Sequence, residues 1–444
     1  MPSETRHLGL ASGIGLVVAN MVGAGVFLSA GFMAQDMGPG PILLAWLVGA
    51  LIALCGAKAY AQVAAWVPRS GGEYRFLSEL LHPALGYVAG WASLLLGFSA
   101  PIAVNAIAAG AFAATIAPGV EPKLIGVLAI VVLTALHAVG LRTSKLTQNV
   151  LVVVDALLLL GFVGVGLVLG RHEWPSWTPP NGGAGFPLEA FVGSLFFIAF
   201  AFSGWNAAAY AASEFQQPEK DVPRAMLIGC ALVAVLYLLV NWVFVANLTP
   251  NESRAVFEYE TKRVTLGHLV IKDLLGDAGG IAMSFLSMTA FVAATSAMML
   301  VGPRVYAAMA EDGFLPQLLA AKQGQAPTGS VLLQAALALV LLFTHTLQEV
   351  LTNVGAILTL FAALVSLTIF RVHFGQSTLP KPGPLTLVAA GIHVASAAYM
   401  LYFGFRGKTH LWLWIGGILA VTAVALLVYR VTLWLRLKSV PDEG

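Results

Sequence analysis

Long apolar runs, separated by short polar stretches, set the pattern of this chain. They fall at roughly 9–35, 41–67, 83–117, 122–139, 147–170, 188–213, 222–248, 279–310, 329–346, 350–373, 384–404 and 411–436. A helix needs about 20 apolar residues to cross a hydrocarbon core of about 30 Å. The runs are of that order and predict twelve transmembrane helices. The third and eighth are longer, which predicts tilt or extension beyond the bilayer. The first run is long and many others follow it, so it reads as a span rather than a cleaved signal peptide. Composition agrees: 59% of residues are hydrophobic and only 10% charged, against about 25% charged in soluble domains.

Two runs are interrupted near their middles by small residues. The first reads Asn20-Met21-Val22-Gly23-Ala24-Gly25-Val26-Phe27, and the second Phe200-Ala201-Phe202-Ser203-Gly204-Trp205-Asn206. Lipid cannot satisfy the backbone groups that an unwound helix frees, so water, an ion or a ligand must meet them. Paired interruptions in two halves of a membrane protein point to a transporter's central site. They lie in spans 1 and 6. Five is odd, so the two five-helix repeats, 9–170 and 188–373, have inverted topology, with 384–436 appended.

The chemistry of such breaks is specific. A helix restarting near Gly25 presents free N–H groups and a positive dipole end, which favour a carboxylate. A helix ending near Phe202 presents free carbonyls, which favour an ammonium. An α-amino acid carries both charges on one carbon. Asn20, Ser203 and Asn206 are the polar neighbours.

Charge changes the picture in two places. Asp155 stands alone within the apolar run Val150–Leu158 of span 5, where a carboxylate is costly and marks a functional site. The larger share of the 23 Lys and Arg, among them Arg69, Arg75, Arg142, Lys145, Arg224, Arg304 and Lys322, falls on the side of the N-terminus. That bias puts both termini in the cytoplasm of a multi-pass cell-membrane protein. Glu214, Asp221 and Arg224 could form a gate network but read better as a solvated loop face, and His137 and His393 read as packed histidines rather than a proton relay. Asn105 could face the site or bond between helices. Cys55 and Cys230 lie in apolar helices and read as packing residues. Residues 171–187 read as an external loop with interfacial aromatics.

Ordered motifs now give a resemblance. Gly23-Ala24-Gly25-Val26-Phe27, Pro68-Arg69-Ser70-Gly71-Gly72-Glu73-Tyr74, Gly204-Trp205-Asn206 with Glu214 and Pro218–Ala225, and Arg304–Pro316 cover residues 9 to about 320. In that order the chain resembles the amino acid–polyamine–organocation permeases, nearest their L-type amino acid transporter branch. The resemblance implies an all-α leucine-transporter-type fold and alternating access. Carried over, the backbone of Gly23, Ala24 and Gly25 holds the substrate carboxylate and the Met21 carbonyl faces the amine. Ala24 replaces the usual Ser, which removes a hydroxyl contact. Phe200 falls at the family's aromatic gate, with Ala201, Ser203, Gly204 and Asn206 following. Many relatives have Lys where this chain has Asp155. Thr295 and Ser296 resemble the hydroxyl pair of a sodium site used elsewhere in the fold. These three residues are expected to form a coupling-ion site for Na⁺ or H⁺, both of which a carboxylate can bind.

The expectation is a secondary transporter of amino acids and not an enzyme, without a cofactor or a nucleic-acid partner. A neutral substrate is expected, because no intramembrane carboxylate beyond Asp155 stands out to pair with a cationic side chain. Exchange or export without ion coupling is an alternative. A metal-ion transporter of the same fold is another, but it calls for acidic ligands at the breaks, where only Met21 offers itself. An intramembrane enzyme would need a nucleophile–base pair or a metal cluster, and a channel a repeated pore motif; the sequence displays neither.

Overall fold

The computed structural model describes residues 8–34, 36–117, 119–139, 141–170, 174–177, 185–247, 266–321, 326–344, 347–406 and 411–438. Among these the regular elements are helical. In chain order they are α1 (Leu10–Met21), α2 (Ala24–Met33), α3 (Pro39–Trp66), α4 (Glu73–Leu80), α5 (Pro83–Ala92), α6 (Ser99–Ile116), α7 (Pro122–Val139) and α8 (Leu141–Leu169). Then come α9 (Leu188–Phe202), α10 (Ala207–Tyr210), α11 (Pro218–Ala246), α12 (Leu266–Glu311), α13 (Thr328–Thr344), α14 (Leu347–Phe374), α15 (Pro384–Arg406) and α16 (Leu411–Lys438). Nine helical segments among the described residues are long and apolar enough to cross a membrane. Three shorter apolar helices, Leu188–Phe202, Thr328–Thr344 and Trp412–Leu427, accompany them.

Burial ranks the spans. In Leu10–Met33, 94% of the most apolar window is buried, against 28% in Pro122–Val139 and in Leu146–Leu169. The first broken helix therefore runs through the centre, while α7 and α8 face outward, as exposed Leu124, Leu128, Leu157 and Leu160 attest. Around the centre α1 packs on α11, α2 on α9, and α3 on α9, α11 and α15. The long α12 crosses α6 and α8. Large aromatic side chains fill the middle: Trp46 packs on Phe202 and edge-on against Tyr237, and Phe27 and Phe112 both meet the Phe291 ring.

The structure departs from the expected elements at three places. The third span contains a π turn, Ser93–Phe98, between α5 and α6. Such turns leave backbone out of register and occur at functional sites. The eighth span begins where expected, after a kink at Gly276 (φ 68°), and a further helical stretch from Leu266 precedes that kink within α12. The expected outer loop 249–278 is thus helical from 266, and its earlier part lies outside the described residues. Of the expected outer loop 171–187, most residues also lie outside them. Its Trp174 is exposed and packs on Trp242, and the Gly40 amide donates to the Ser176 carbonyl at 2.9 Å. The side chains of Arg142, Lys145 and Lys322 lie outside the described residues as well.

Candidate functional site

The first break is two residues long. α1 ends at Met21, Val22 and Gly23 are extended, and α2 begins at Ala24, one residue before the expected start. A helix start leaves N–H groups without intrahelical partners. One of them, the Ala24 amide, donates to Asn105 Oδ1 of α6 at 2.8 Å. Asn105 is anchored in turn by its Nδ2, which donates to the Pro101 carbonyl at 3.0 Å. An oxygen acceptor therefore already sits on the positive end of α2.

The second break is a tight turn. α9 ends at Phe202 as expected, and the Ser203 and Trp205 amides donate to the Phe200 and Phe202 carbonyls at 3.0 and 3.3 Å. These short-range bonds leave the Ala201 carbonyl to find another donor. The two breaks touch. A Cβ on Gly25 would stand 2.6 Å from Ala201 Cα, and one on Gly204 would stand 2.5 Å from the Asn20 carbonyl carbon. Only glycine permits backbones to approach so closely.

Tyr237 of α11 joins them. Its hydroxyl lies 2.5 Å from the Met21 carbonyl oxygen and 3.2 Å from that of Ala201, so one phenolic proton serves a carbonyl from each break. Sequence reasoning missed this residue; a tyrosine within an apolar run was the available signal. Tyr237→Phe should strand both carbonyls and cost about 1–3 kcal/mol, the penalty for burying an unsatisfied acceptor. A melting temperature of the ligand-free variant equal to wild type would contradict that bridge.

Other expected site residues separate into two groups. Phe200 is buried where α9 meets Gly355 of α14. Ser203 and Asn206 line a cavity on the other side of the second break. Asn206 donates to Glu73 and to Tyr210 Oη, the latter at 2.8 Å. Glu73 also accepts from Tyr60 at 3.1 Å and from Tyr210 at 2.6 Å. Glu73 is thus a second buried carboxylate beside Asp155, supplied from between the spans, where the sequence singled out only Asp155 within them. Glu73 belongs to a polar loop in sequence, yet α4 turns it inward, to 7% exposure, under the second break.

Beyond Glu73, polar contacts close one end of the molecule. Ser70 and Ser213 exchange amide-to-hydroxyl bonds of 3.2 and 3.0 Å. Leu8 pairs with the strand-like residues after the second break, its amide on the Glu214 carbonyl and its carbonyl on the Gln216 amide, both 3.0 Å. Arg304 Nε meets Glu214 Oε1 at 2.5 Å, and Arg75 Nη1 meets Asp312 Oδ2 at 2.5 Å. Glu214 is therefore an ion-pair partner across helices, not part of a solvated face, because α12 delivers Arg304 to it. The Tyr74 hydroxyl donates to Asp312. Burial, with the Asp312 carboxylate beside it, pushes that phenol well above the usual tyrosine range, so it remains a donor at neutral pH.

The three residues expected to hold an ion are each placed differently. Asp155 is buried, and its Oδ1 has no hydrogen-bond partner among the described residues. It lies within electrostatic reach of Tyr237. The Thr295 hydroxyl donates to its own helix at the Phe291 carbonyl, 2.8 Å away. Ser296 Oγ is 2.9 Å from His137 Nε2. His393 Nδ1 is similarly 2.9 Å from Ser366 Oγ, so both histidines are packed and bonded as expected. Cys230 is buried and Cys55 half-buried, and both are free. Trp205 packs edge-on against Tyr60 and His393.

A multi-pass helical membrane protein with two touching broken helices at its centre is the class that fold and site define. A family model described as amino acid permease matches residues 8–427, and the chain belongs to that family. The chain is similar to the b(0,+)-type amino acid transporter 1 of Mus musculus, 25% identical over 394 residues, covering 86% of this chain and 78% of that protein. It is similar to the large neutral amino acids transporter small subunit 2 of Homo sapiens, 25% identical over 414 residues, covering 90% of this chain and 75% of that protein.

Proposed function

We propose that this permease is a secondary transporter of amino acids that binds the α-ammonium and α-carboxylate between its two breaks and works by alternating access. One observation carries the reading. Carbonyls from both breaks, Met21 and Ala201, converge on a single donor, while the start of α2 holds a single acceptor. Tyr237 and Asn105 supply within the protein the polar partners that a zwitterion would bring. A substrate ammonium replaces or joins the Tyr237 hydroxyl, and a carboxylate takes the N–H groups of Gly23 and Gly25 and displaces Asn105 Oδ1 from that of Ala24. Relatives named for amino acid transport support the substrate class. A neutral substrate is favoured, because Glu73 lines the cavity behind the second break rather than the meeting point of the breaks.

The end closed by Ser70, Ser213, Glu214 and Arg304 is the cytoplasmic one in this reading, with both termini on that side of the cell membrane. Residues 9–170 and 188–373 act as inverted repeats that rock past each other, and α15 and α16 are appended. Opening this end must break the paired Ser70–Ser213 bonds. A Ser70→Cys, Ser213→Cys double variant should therefore cross-link under oxidant and lose uptake, with reductant restoring it. Full uptake by the cross-linked protein would contradict the gate.

Asp155 is the coupling residue in this account. Its Oδ1 lacks a partner, while the hydroxyls of Thr295 and Ser296 are engaged by Phe291 and His137. We assign H⁺ here, since a proton on the carboxyl needs no further ligands, whereas Na⁺ would also draw on the lone pairs that the Thr295 oxygen keeps while donating to Phe291. Reversing the expected lysine charge at this position changes which cation the position can hold. A thermal-shift screen against amino acids and divalent metals tests the substrate class. Stabilisation by metals alone would overturn it.

A further inference from the structure

A cavity lies behind the second break, between α3, α9, α14 and α15; its empty space, open mouth included, is about 610 Å³. Leu195, Ala199 and Ser203 line it at four-residue spacing, which puts them on one face of α9. Ala201, which meets Gly25, is two positions from Ser203, roughly 200° around a helix of 3.6 residues per turn. The cavity is therefore on the opposite side of α9 from the contact between the breaks.

Its chemistry is polarised. At one end Glu73 Oε1 accepts from Tyr60 and Asn206, and Oε2 accepts from Tyr210. A carboxylate offers about four acceptor positions, so Oε2 retains capacity for another donor. Among the described residues no ion pair reaches Glu73. All three of its donors are neutral. The rings of Tyr60 and Trp205, centroids 6.0 Å apart, flank the same end, and aromatic faces attract cations. The remaining wall is apolar, with Ile52, Leu195, Leu358 and Met400 facing inward.

We propose that this cavity is a second ligand site, distinct from the break-to-break site, that takes an amphipathic organic amine. The ammonium donates to Glu73 beside Tyr60 and Trp205, and the apolar body lies between α9, α14 and α15. Binding requires nothing of the transport reading. Its consequence rests on that reading: a ligand wedged against Ser203, Trp205 and Asn206 holds the turn that must rearrange, and so slows transport without competing with the amino acid.

The probe is 4-phenylbutylamine, titrated into the full chain in lipid nanodiscs, with its neutral isostere 4-phenylbutan-1-ol as comparison. Saturable amine binding is expected, with the alcohol at least about tenfold weaker, since one charged contact separates the two. Ala397→Phe and Ala362→Phe fill the cavity from α15 and from α14, so each checks the other if one folds poorly. Either folded variant should weaken amine binding by about tenfold or more. Equal affinity for amine and alcohol, unchanged binding by both filled variants, or absence of saturable binding would each overturn the site. Amino acid uptake by the unmodified protein is measured in parallel, so failure of the transport reading registers separately.

Discussion

Gly204→Ala should reduce amino acid uptake to below about one tenth of wild type, because overpacking costs about 1–3 kcal/mol and each 1.4 kcal/mol is about tenfold. The added Cβ would meet the Asn20 carbonyl carbon at 2.5 Å and the Met21 nitrogen at 2.6 Å. Both are backbone atoms, so no rotamer change relieves the contact. Relief requires the two breaks to separate, which moves the Met21 carbonyl away from that of Ala201. The effect therefore falls on the site before it falls on the fold. Gly193→Ala, on the helix that leads into this break, is the control, since nothing lies within 4 Å of its added Cβ. Uptake is measured in proteoliposomes. Equal activity of the two variants would show that the meeting of the breaks is not what the substrate uses.

Asp155→Asn should abolish stimulation of uptake by an imposed inward H⁺ gradient while exchange of internal for external amino acid continues. The asparagine keeps the shape of the carboxyl but cannot gain or lose the proton. Among the described residues Asp155 Oδ1 has no hydrogen-bond partner, and Tyr237, which bridges both breaks, lies within its electrostatic reach. A Na⁺ gradient, imposed alone, distinguishes the other ion. Gradient dependence that survives in Asp155→Asn would remove this residue from the coupling path.

The sequence made the helices and the breaks legible for physical reasons. Bilayer thickness sets the length of an apolar run, and glycine in the middle of one is conspicuous. α9 accordingly ends at Phe202, and α2 starts within one residue of expectation. Partners brought from far along the chain were not legible. Tyr237 reaches Met21 across 216 residues, and Asn105 reaches Ala24 across 81. Asn105 could be singled out as facing the site or bonding between helices, but nothing in its local pattern names Ala24 as its partner; Tyr237 carries no mark, because a tyrosine in a span can equally serve packing. Glu73 was hidden for the opposite reason: it lies in a polar stretch, where a carboxylate reads as solvated, and only the turn at α4 sends it under Asn206. Glu214 was misread similarly, since its partner Arg304 comes from α12. The π turn at Ser93–Phe98 has no composition that separates it from ordinary helix.

The two ends of the site demand two charges on the ligand, and that demand can be measured directly. Uptake of a radiolabelled neutral amino acid by the purified protein in liposomes is competed with the unlabelled amino acid, its methyl ester and its N-acetyl derivative. The ester removes the carboxylate that α2 receives, and acetylation removes the ammonium that the Met21 and Ala201 carbonyls receive. The account predicts saturable uptake that the parent inhibits and neither derivative does. Inhibition by either derivative as strong as by the parent would contradict it.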